Sequence, residues 1–472
     1  MEEDNPSRRV VLYAGMGVSH LVPMVELAKL FLRRRFAVSI AVPTSLGSAI
    51  TGSPTISNIA ASNPSISFHL LPPPSCPDPD PNPFLFMLST LRLSVPSLVA
   101  LLRSIPSVSA LVLDMFCADA VDSAKALHVP AYIYFTSSAG ALAATMRIRY
   151  HYSTTTTSLR DMGKELLRFP GVPPIPVSDM PSTVQDREDR LFKSRDRIYG
   201  RIMEASGLLL NTYEWLEARA VSVFREGACF PGLPTPPVYC VGPLLATGEE
   251  KAREAHRHEC LAWLDAQPDL SVVFLCFGSM GSFPAAQLKE IARGLESSGH
   301  RFLWVVRNPR QDPSNLLEQP QEPDLAALLP EGFLERTRDR GMVVKSWAPQ
   351  AEVLRHTATG AFVTHCGWNS TLEGVTAGVP LLCWPLYAEQ RLNKVLIVEE
   401  MEVGVVIDGY DEEMVRAEEV EAKVKLVMES DEGDKLRERL SLARAKAVEA
   451  LAEGGPSPVA FDKFLEDLEK SE

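Results

Sequence analysis

Apolar residues in this chain gather in short runs, separated by stretches where they recur every three or four positions. That alternation predicts strands interleaved with helices. Arg9–Ala14 reads as a strand, Leu21–Arg33 as an amphipathic helix and Phe36–Val42 as the next strand. Ser109–Leu113 and Ala131–Phe135 repeat the strand signal, with a helix over Ala118–Leu127 between them. Such a rhythm implies a mostly parallel sheet covered by helices on both faces. It weakens through Ser153–Asp196, which is rich in Thr, Pro and charge, and returns at Gly207–Leu210 and Val238–Val241.

The polar, charged stretch Ala246–Glu259 then reads as a linker. A second rhythm begins at Ser271–Phe277 and runs through a helix near Ala285–Ser297, a strand at Arg301–Val306, and strands at Gly360–Thr364 and Val379–Cys383. Arg310–Leu325 interrupts it as a Pro/Gln/Asp-rich loop, and Glu418–Leu468 is helical and laced with charge. The expected fold is α/β: two doubly wound domains facing across a cleft, with ligands at the carboxyl ends of the strands.

Length agrees with two domains, because 472 residues exceed what one core usually serves. A formal charge of −13 argues against nucleic acid as a partner, while leaving room for one nucleotide in a local pocket. The acidic start Met1-Glu2-Glu3-Asp4 lacks the pattern of a secretory signal, and no apolar run is expected to span a membrane. Eight scattered cysteines without a Cys-x-x-Cys pair suit a reduced, cytoplasmic protein.

Candidate chemistry lies in two places. Gly15-Met16-Gly17-Val18-Ser19-His20 joins a strand to a helix and imitates a dinucleotide fingerprint. His20 stands where the third glycine belongs, and the next strand ends Val42-Pro43-Thr44 without an acid for a ribose. These two details count against a nicotinamide or flavin oxidoreductase. His20 becomes a candidate base, and an acid bonded to its ring would fix the tautomer. Asp114 and Asp119 both follow the Ala110–Leu113 strand, and the residues alone leave the choice between them open. Asp119 also suits a helix cap.

The second place runs from Trp347 to Gln390. Trp347 offers a plate for a flat base, and Gln350 can bond hydroxyls or the base edge. His365-Cys366-Gly367-Trp368 joins a strand to a helix whose start, with Asn369 and Ser370, suits a diphosphate. Glu373, one turn further along, can accept from a ribose diol, and Glu389-Gln390 suits sugar hydroxyls. Two signals are decoys. Asp78-Pro79-Asp80 imitates a metal site inside a proline-rich loop, and Asn369-Ser370-Thr371 imitates a glycosylation sequon.

The stretch from Trp-Ala-Pro-Gln at 347 to Glu-Gln at 390 resembles the signature box of the plant family-1 UDP-dependent glycosyltransferases. Phe277-Gly278-Ser279 and Leu329-Pro330-Glu331-Gly332-Phe333 extend the likeness. The resemblance implies a GT-B fold of two Rossmann-like domains, residues 1–245 for the acceptor and 260–450 for the UDP-sugar, joined by linker 246–259. Residues 451–472 would be a last helix crossing back to the first domain. It implies inverting, metal-independent transfer of glucose from UDP-glucose to a small hydrophobic plant phenolic such as a flavonoid, by a monomer.

By the same resemblance His20 is the base and Asp119 its orienting acid. Ser279, Trp347, Ala348, Gln350, His365, Trp368, Asn369, Ser370, Glu373, Glu389 and Gln390 would bind the UDP-sugar. Two positions depart from the pattern: Ser19 precedes His20 where many members have glycine, and Glu389 stands where many have aspartate. Gln390 with Trp368 favours glucose over galactose or glucuronate. Phe84–Leu91, Phe116, Tyr134–Ala144 and Met180–Leu191 are candidate acceptor walls. A non-catalytic nucleotide-sugar binding protein is the rival, and it would lack the base and its acid.

Overall fold

The central strands in both halves are Val-, Ile- and Leu-rich runs buried on both faces, the composition of parallel sheets covered by helices. The computed structural model describes residues 8–44, 53–75, 80–246, 257–310 and 321–470. Most of the expected linker, most of the 310–325 loop, Cys76 and the first two residues of Asp-Pro-Asp lie outside the described residues.

In the first half the strands are β1 (Arg9–Tyr13), β2 (Ala37–Pro43), β3 (Ile66–Leu71), β4 (Val108–Asp114) and β5 (Ala131–Phe135). A small antiparallel pair follows, β6 (Leu166–Leu167) with β7 (Ile175–Pro176), and then β8 (Gly207–Leu210) and β9 (Val238–Cys240). Seven of them form a parallel sheet in the order β3-β2-β1-β4-β5-β8-β9. The predicted strands fall within a residue or two of the observed ones, whereas β3 was not foreseen. The helix expected over Ala118–Leu127 begins instead as a 3-10 turn, Met115–Ala120, followed by the helix Val121–Ala126. That turn forms because the Asp114 carboxylate accepts from Phe116 N–H at 3.0 Å.

The second half holds β10 (Val272–Cys276), β11 (Arg301–Val306), β12 (Gly341–Lys345), β13 (Thr359–Thr364), β14 (Leu381–Cys383) and β15 (Gly404–Val406). They form a parallel sheet in the order β12-β11-β10-β13-β14-β15. The order reverses direction beside the first strand of each sheet, so both sheets are Rossmann-like and place candidate ligand sites at their carboxyl edges.

The described residues group into two compact units. One takes those of Met1–Ser178, Ser182–Ala246 and Ala450–Glu472, and the other those of Asp179–Pro181 and Thr247–Glu449. The last helix, Pro456–Glu469, belongs to the first unit because its apolar face completes that core. Phe461, Phe464, Leu465 and Leu468 pack there with Phe31, Tyr132 and Tyr239. The Tyr239 hydroxyl lies 3.0 Å from Asp467, and Ser457 Oγ donates to the Gly242 carbonyl at 2.6 Å. In the second unit the buried Asp179 carboxylate receives Lys394 Nζ at 2.7 Å and the Tyr410 hydroxyl at 2.6 Å.

The helices Pro83–Leu93 and Val95–Ser104 run on as a 22-residue segment that is long and apolar enough to cross a membrane by length and composition. Arg92, Pro96 and Arg103 break up the apolar run in the sequence, and a core helix of the same length and composition would meet the same criterion. Leu85, Leu88, Leu91, Leu98 and Leu102 of this segment are buried.

Candidate active site

In the first unit the chemistry converges where β1 and β4 end side by side. Their register pairs Tyr13 with Leu113, which sets Asp114 beside the turn that begins at Ala14. Gly15 has to be glycine: a Cβ there would lie 2.5 Å from Asp114 Oδ1. Gly17, at φ 103°, turns the chain into the helix Val18–Arg33 and brings His20 to its first turn.

His20 Nδ1 lies 2.8 Å from Asp114 Oδ2, between a side chain 18% exposed and a carboxylate fully enclosed. A carboxylate accepts only, so Nδ1 carries the hydrogen and the imidazole lone pair sits on Nε2. Asp114 is itself held from the other side by Phe116 N–H. Thr136 Oγ1, in the expected acceptor-wall stretch Tyr134–Ala144, lies 3.4 Å from His20 Nδ1, a contact the sequence did not single out.

The assignment of Asp119 as the orienting acid is therefore corrected to Asp114. Asp119 sits at the far end of the 3-10 turn and accepts from Arg197 Nη2 at 2.7 Å. The turn directs the strand-end residue toward β1 and the later residue toward the helix Arg190–Ile202.

Aromatic rings line the approach to His20. Phe116 lies 5.2 Å from the imidazole, ring centre to ring centre, and Phe84 meets Phe116 edge-on at 5.5 Å. Both phenylalanines are half-buried, whereas Tyr134–Ala144 are buried. Met180 groups with the second unit.

In the second unit the loops after four strands each hold a residue at positive φ: Gly278 after β10, Ser346 after β12, Cys366 after β13 and Ala388 after β14. Non-glycine residues pay for that conformation, and a cluster of them at one sheet edge marks a site. Trp347 presents its ring half exposed at 50%, the most open tryptophan face of the box, beside His258. Ala348 is buried, and its carbonyl receives Gln350 N–H at 2.9 Å. Gln350 Nε2 donates to Ser370 Oγ at 2.8 Å and to Glu373 Oε2 at 2.6 Å, which ties the three together. Burial pushes the Glu373 carboxyl above its usual range, and the Gln350 amide partly offsets that.

His365 is nearly enclosed, with Gly278 and Gly367 on either side. A Cβ at either glycine would approach His365 Nε2 within 2.6 Å, so the chain can close around the ring only because both are glycine. Burial lowers the imidazole to about 4, so His365 is neutral near pH 7. Ser279 is exposed in the loop beyond Gly278, and Asn369 and Ser370 open the helix Trp368–Ala377. Trp368 and Gln390 are almost entirely buried. Gln390 Oε1 accepts from the N–H groups of Leu386 and Tyr387 at 2.9 and 3.0 Å, shaping the loop that carries the half-buried Glu389. Among the described residues no group of three or more His, Cys, Asp or Glu could hold a metal ion.

Residues 105–441 match the family model described as "UDP-glucoronosyl and UDP-glucosyl transferase". An anthocyanidin 5,3-O-glucosyltransferase of a Rosa hybrid cultivar is 42% identical, over 97% of this chain and 98% of its own length. A phloretin 2'-O-glucosyltransferase of Pyrus communis is also 42% identical, over 97% of this chain and 99% of its own. The solved structure of Phytolacca americana UGT2, complexed with UDP-2fluoro-glucose and pterostilbene, superposes with a TM-score of 0.86 at 35% identity. That match covers 98% of this chain and 100% of the other. A family match over most of the chain, relatives aligned end to end and a shared GT-B architecture converge on one conclusion: this chain belongs to the plant family-1 UDP-glycosyltransferases and is a hexosyltransferase.

Proposed function

We propose that this protein transfers glucose from UDP-glucose to a hydroxyl of a small hydrophobic plant phenolic, of the flavonoid kind, with inversion and without a metal. The observation that carries the reading is the enclosed Asp114 holding the His20 tautomer, with Phe116 and Phe84 forming an aromatic wall beside it. A phenolic ring can lie against that wall with its hydroxyl on His20 Nε2. The relatives named for anthocyanidin and phloretin, and the neighbour holding pterostilbene, support a polyphenolic acceptor.

In this reading Trp347 stacks on uracil, Gln350 and Glu373 take the ribose diol, and Ser279, Asn369, Ser370 and His365 surround the diphosphate. His20 Nε2 takes the acceptor proton while the acceptor oxygen attacks the anomeric carbon. The bond from that carbon to the diphosphate oxygen breaks, and UDP leaves with the electron pair. Asp114 stabilises the imidazolium, which then releases its proton to solvent. A single displacement turns an α-linked donor into a β-glucoside, as in inverting glycosidases with the acceptor in place of water. Seven described cysteines, all buried and unbridged, support a reducing, cytoplasmic setting.

The test is incubation with UDP-glucose, excess EDTA and a panel of phenolics, read by mass spectrometry for an added hexose and by the anomeric proton coupling of the product. A β-linked hexose formed in EDTA is expected. Failure to glucosylate any acceptor, despite measurable UDP binding, would overturn the reading.

A further inference from the structure

The diphosphate of a UDP-sugar brings at least two negative charges to the edge of the second sheet. His365, neutral near pH 7, meets them with a hydrogen bond and no charge. The strand register shows which side chain supplies a full positive charge there. β10 and β11 pair Leu275 with Trp304, so Arg307, the residue after β11, lies at the carboxyl edge where the loop after β10 carries Gly278 and Ser279. β10 and β13 pair Cys276 with Thr364, which sets Phe277 beside His365. Arg307, the Gly278-Ser279 turn and His365 therefore end three adjacent strands in one row.

Side-chain alternation then selects the face. Phe302, Trp304 and Val306 of β11 pack into the apolar core together with Val273, Leu275 and Phe277 of β10 and Ala361 and Val363 of β13. Arg307 belongs to the opposite set, with Phe274, Cys276, Phe362 and Thr364. On that face Phe274 stacks on Phe362, and Glu373 acts on Cys276. It is the face that carries the proposed nucleotide groups.

Arg307 is half-buried, and the titratable groups acting on it are Cys276, Tyr387 and a second arginine, Arg310. None of these groups is a carboxylate. A guanidinium keeps its charge, and a half-buried one faced by no described carboxylate is open to an anionic ligand. Arg310 Nη2 donates to the Met280 carbonyl at 2.8 Å, which ties the loop bearing Arg307 to the Ser279 loop.

We propose that Arg307 is the fixed cation that receives the donor's diphosphate, with Arg310 holding its loop against the Gly278–Met280 turn. The inference rests on the UDP-sugar reading above and adds the residue that neutralises the leaving group. Positive charge beside the β-phosphate favours the transition state, where that oxygen gains charge.

The experiment is calorimetric titration of uridine, UMP and UDP into the wild type, Arg307→Gln and Arg307→Lys at several salt concentrations, with donor and acceptor KM measured alongside. The expected result is UDP binding weakened by about tenfold or more in Arg307→Gln. Uridine binding should stay within about twofold, and Arg307→Lys should recover much of the loss. Donor KM should rise and acceptor KM should hold. Undiminished UDP affinity in Arg307→Gln, or an equal loss for uridine and UDP, would overturn the proposal while leaving the UDP-sugar reading intact. A wild type that binds no UDP would overturn both.

Discussion

Replacing Asp114 by Asn tests the base more sharply than deleting His20, because it changes a proton's position and little else. Asn Oδ1 can still accept from Phe116 N–H, now at 3.0 Å, so the 3-10 turn survives. The new amide N–H2 would replace the oxygen 2.8 Å from His20 Nδ1. Facing a donor, Nδ1 must become the acceptor, so the ring hydrogen moves to Nε2 and the lone pair that takes the acceptor's proton is lost. The imidazolium formed in the reaction also loses its counter-charge. Corresponding tautomer defects in acid–base pairs cost on the order of 10³–10⁴ in turnover. Asp119→Asn should instead remove only an ion pair to a 43% exposed Arg197 side chain. Its cost should be below about 1 kcal/mol in stability and about threefold in turnover. Steady-state rates with a phenolic acceptor, together with UDP titration and thermal melts, decide the matter. Near-normal turnover in Asp114→Asn, or an equal collapse in Asp119→Asn, would refute the pairing argument.

Gly15→Ala should push the Asp114 carboxylate off His20, since the added Cβ would stand 2.5 Å from Oδ1, and turnover should fall by about tenfold or more while UDP affinity holds. Trp347→Ala should weaken UDP by about tenfold or more through lost stacking, read by titration calorimetry, and unchanged affinity would remove the tryptophan from the uracil site. His365, lowered to about 4 from an ordinary 6.5, stays unprotonated in the fold where the unfolded chain takes up a proton. Stability should therefore drop as pH falls from about 6.5 toward 4, by about 2–3 kcal/mol between pH 7 and 4.5, and urea unfolding of His365→Gln should show a flatter profile. Glu373 has the opposite sign, since its raised folded value makes the native state hold a proton that the unfolded chain releases just above the usual carboxylate range. A ribose diol donating to the carboxylate would expel that proton. UDP binding should release protons in mildly acidic buffer, and calorimetric heats that do not depend on buffer ionisation would contradict the role.

What the sequence made legible was local. The strands Ala131–Phe135, Gly207–Leu210 and Arg301–Val306 coincide with the observed elements because fully buried parallel strands are uninterrupted apolar runs. β3 escaped because it lies at the sheet edge, with Leu70 59% exposed and no clean period. The 347–390 box was readable because its members are neighbours in the chain, and Gln350, Ser370 and Glu373 do meet. His20 and Asp114 are 94 residues apart, and two aspartates follow the same strand. Choosing between them required the direction of a 3-10 turn, which composition does not record. Asp114's own N–H acceptance from Phe116 is the signal in hindsight, since a strand-end aspartate that caps the next turn points its other oxygen back across the sheet. Arg307 escaped similarly, because its place depends on strand register and its face on counting alternation across three strands.

The charge of the whole molecule and the charge of its site are independent quantities here. A chain carrying −13 would repel an anionic donor at long range, yet salt screens that field within about 10 Å. Inside that distance only the arrangement at the sheet edge matters. That edge has a buried neutral His365, the N-terminus of the helix Trp368–Ala377, a protonated Tyr387 hydroxyl pushed up to about 12, and Arg307 with Arg310. Every one of these donates or attracts negative charge, and the carboxylate on that face, Glu373, is tied back by Gln350 and held toward its neutral form. In the first unit the polarity is inverted: an enclosed carboxylate, Asp114, stands behind the group that must become positive. The reaction proposed above moves a proton onto His20 and negative charge onto the leaving diphosphate. Under that proposal each unit already holds the field that the charge arriving there requires, before any substrate binds.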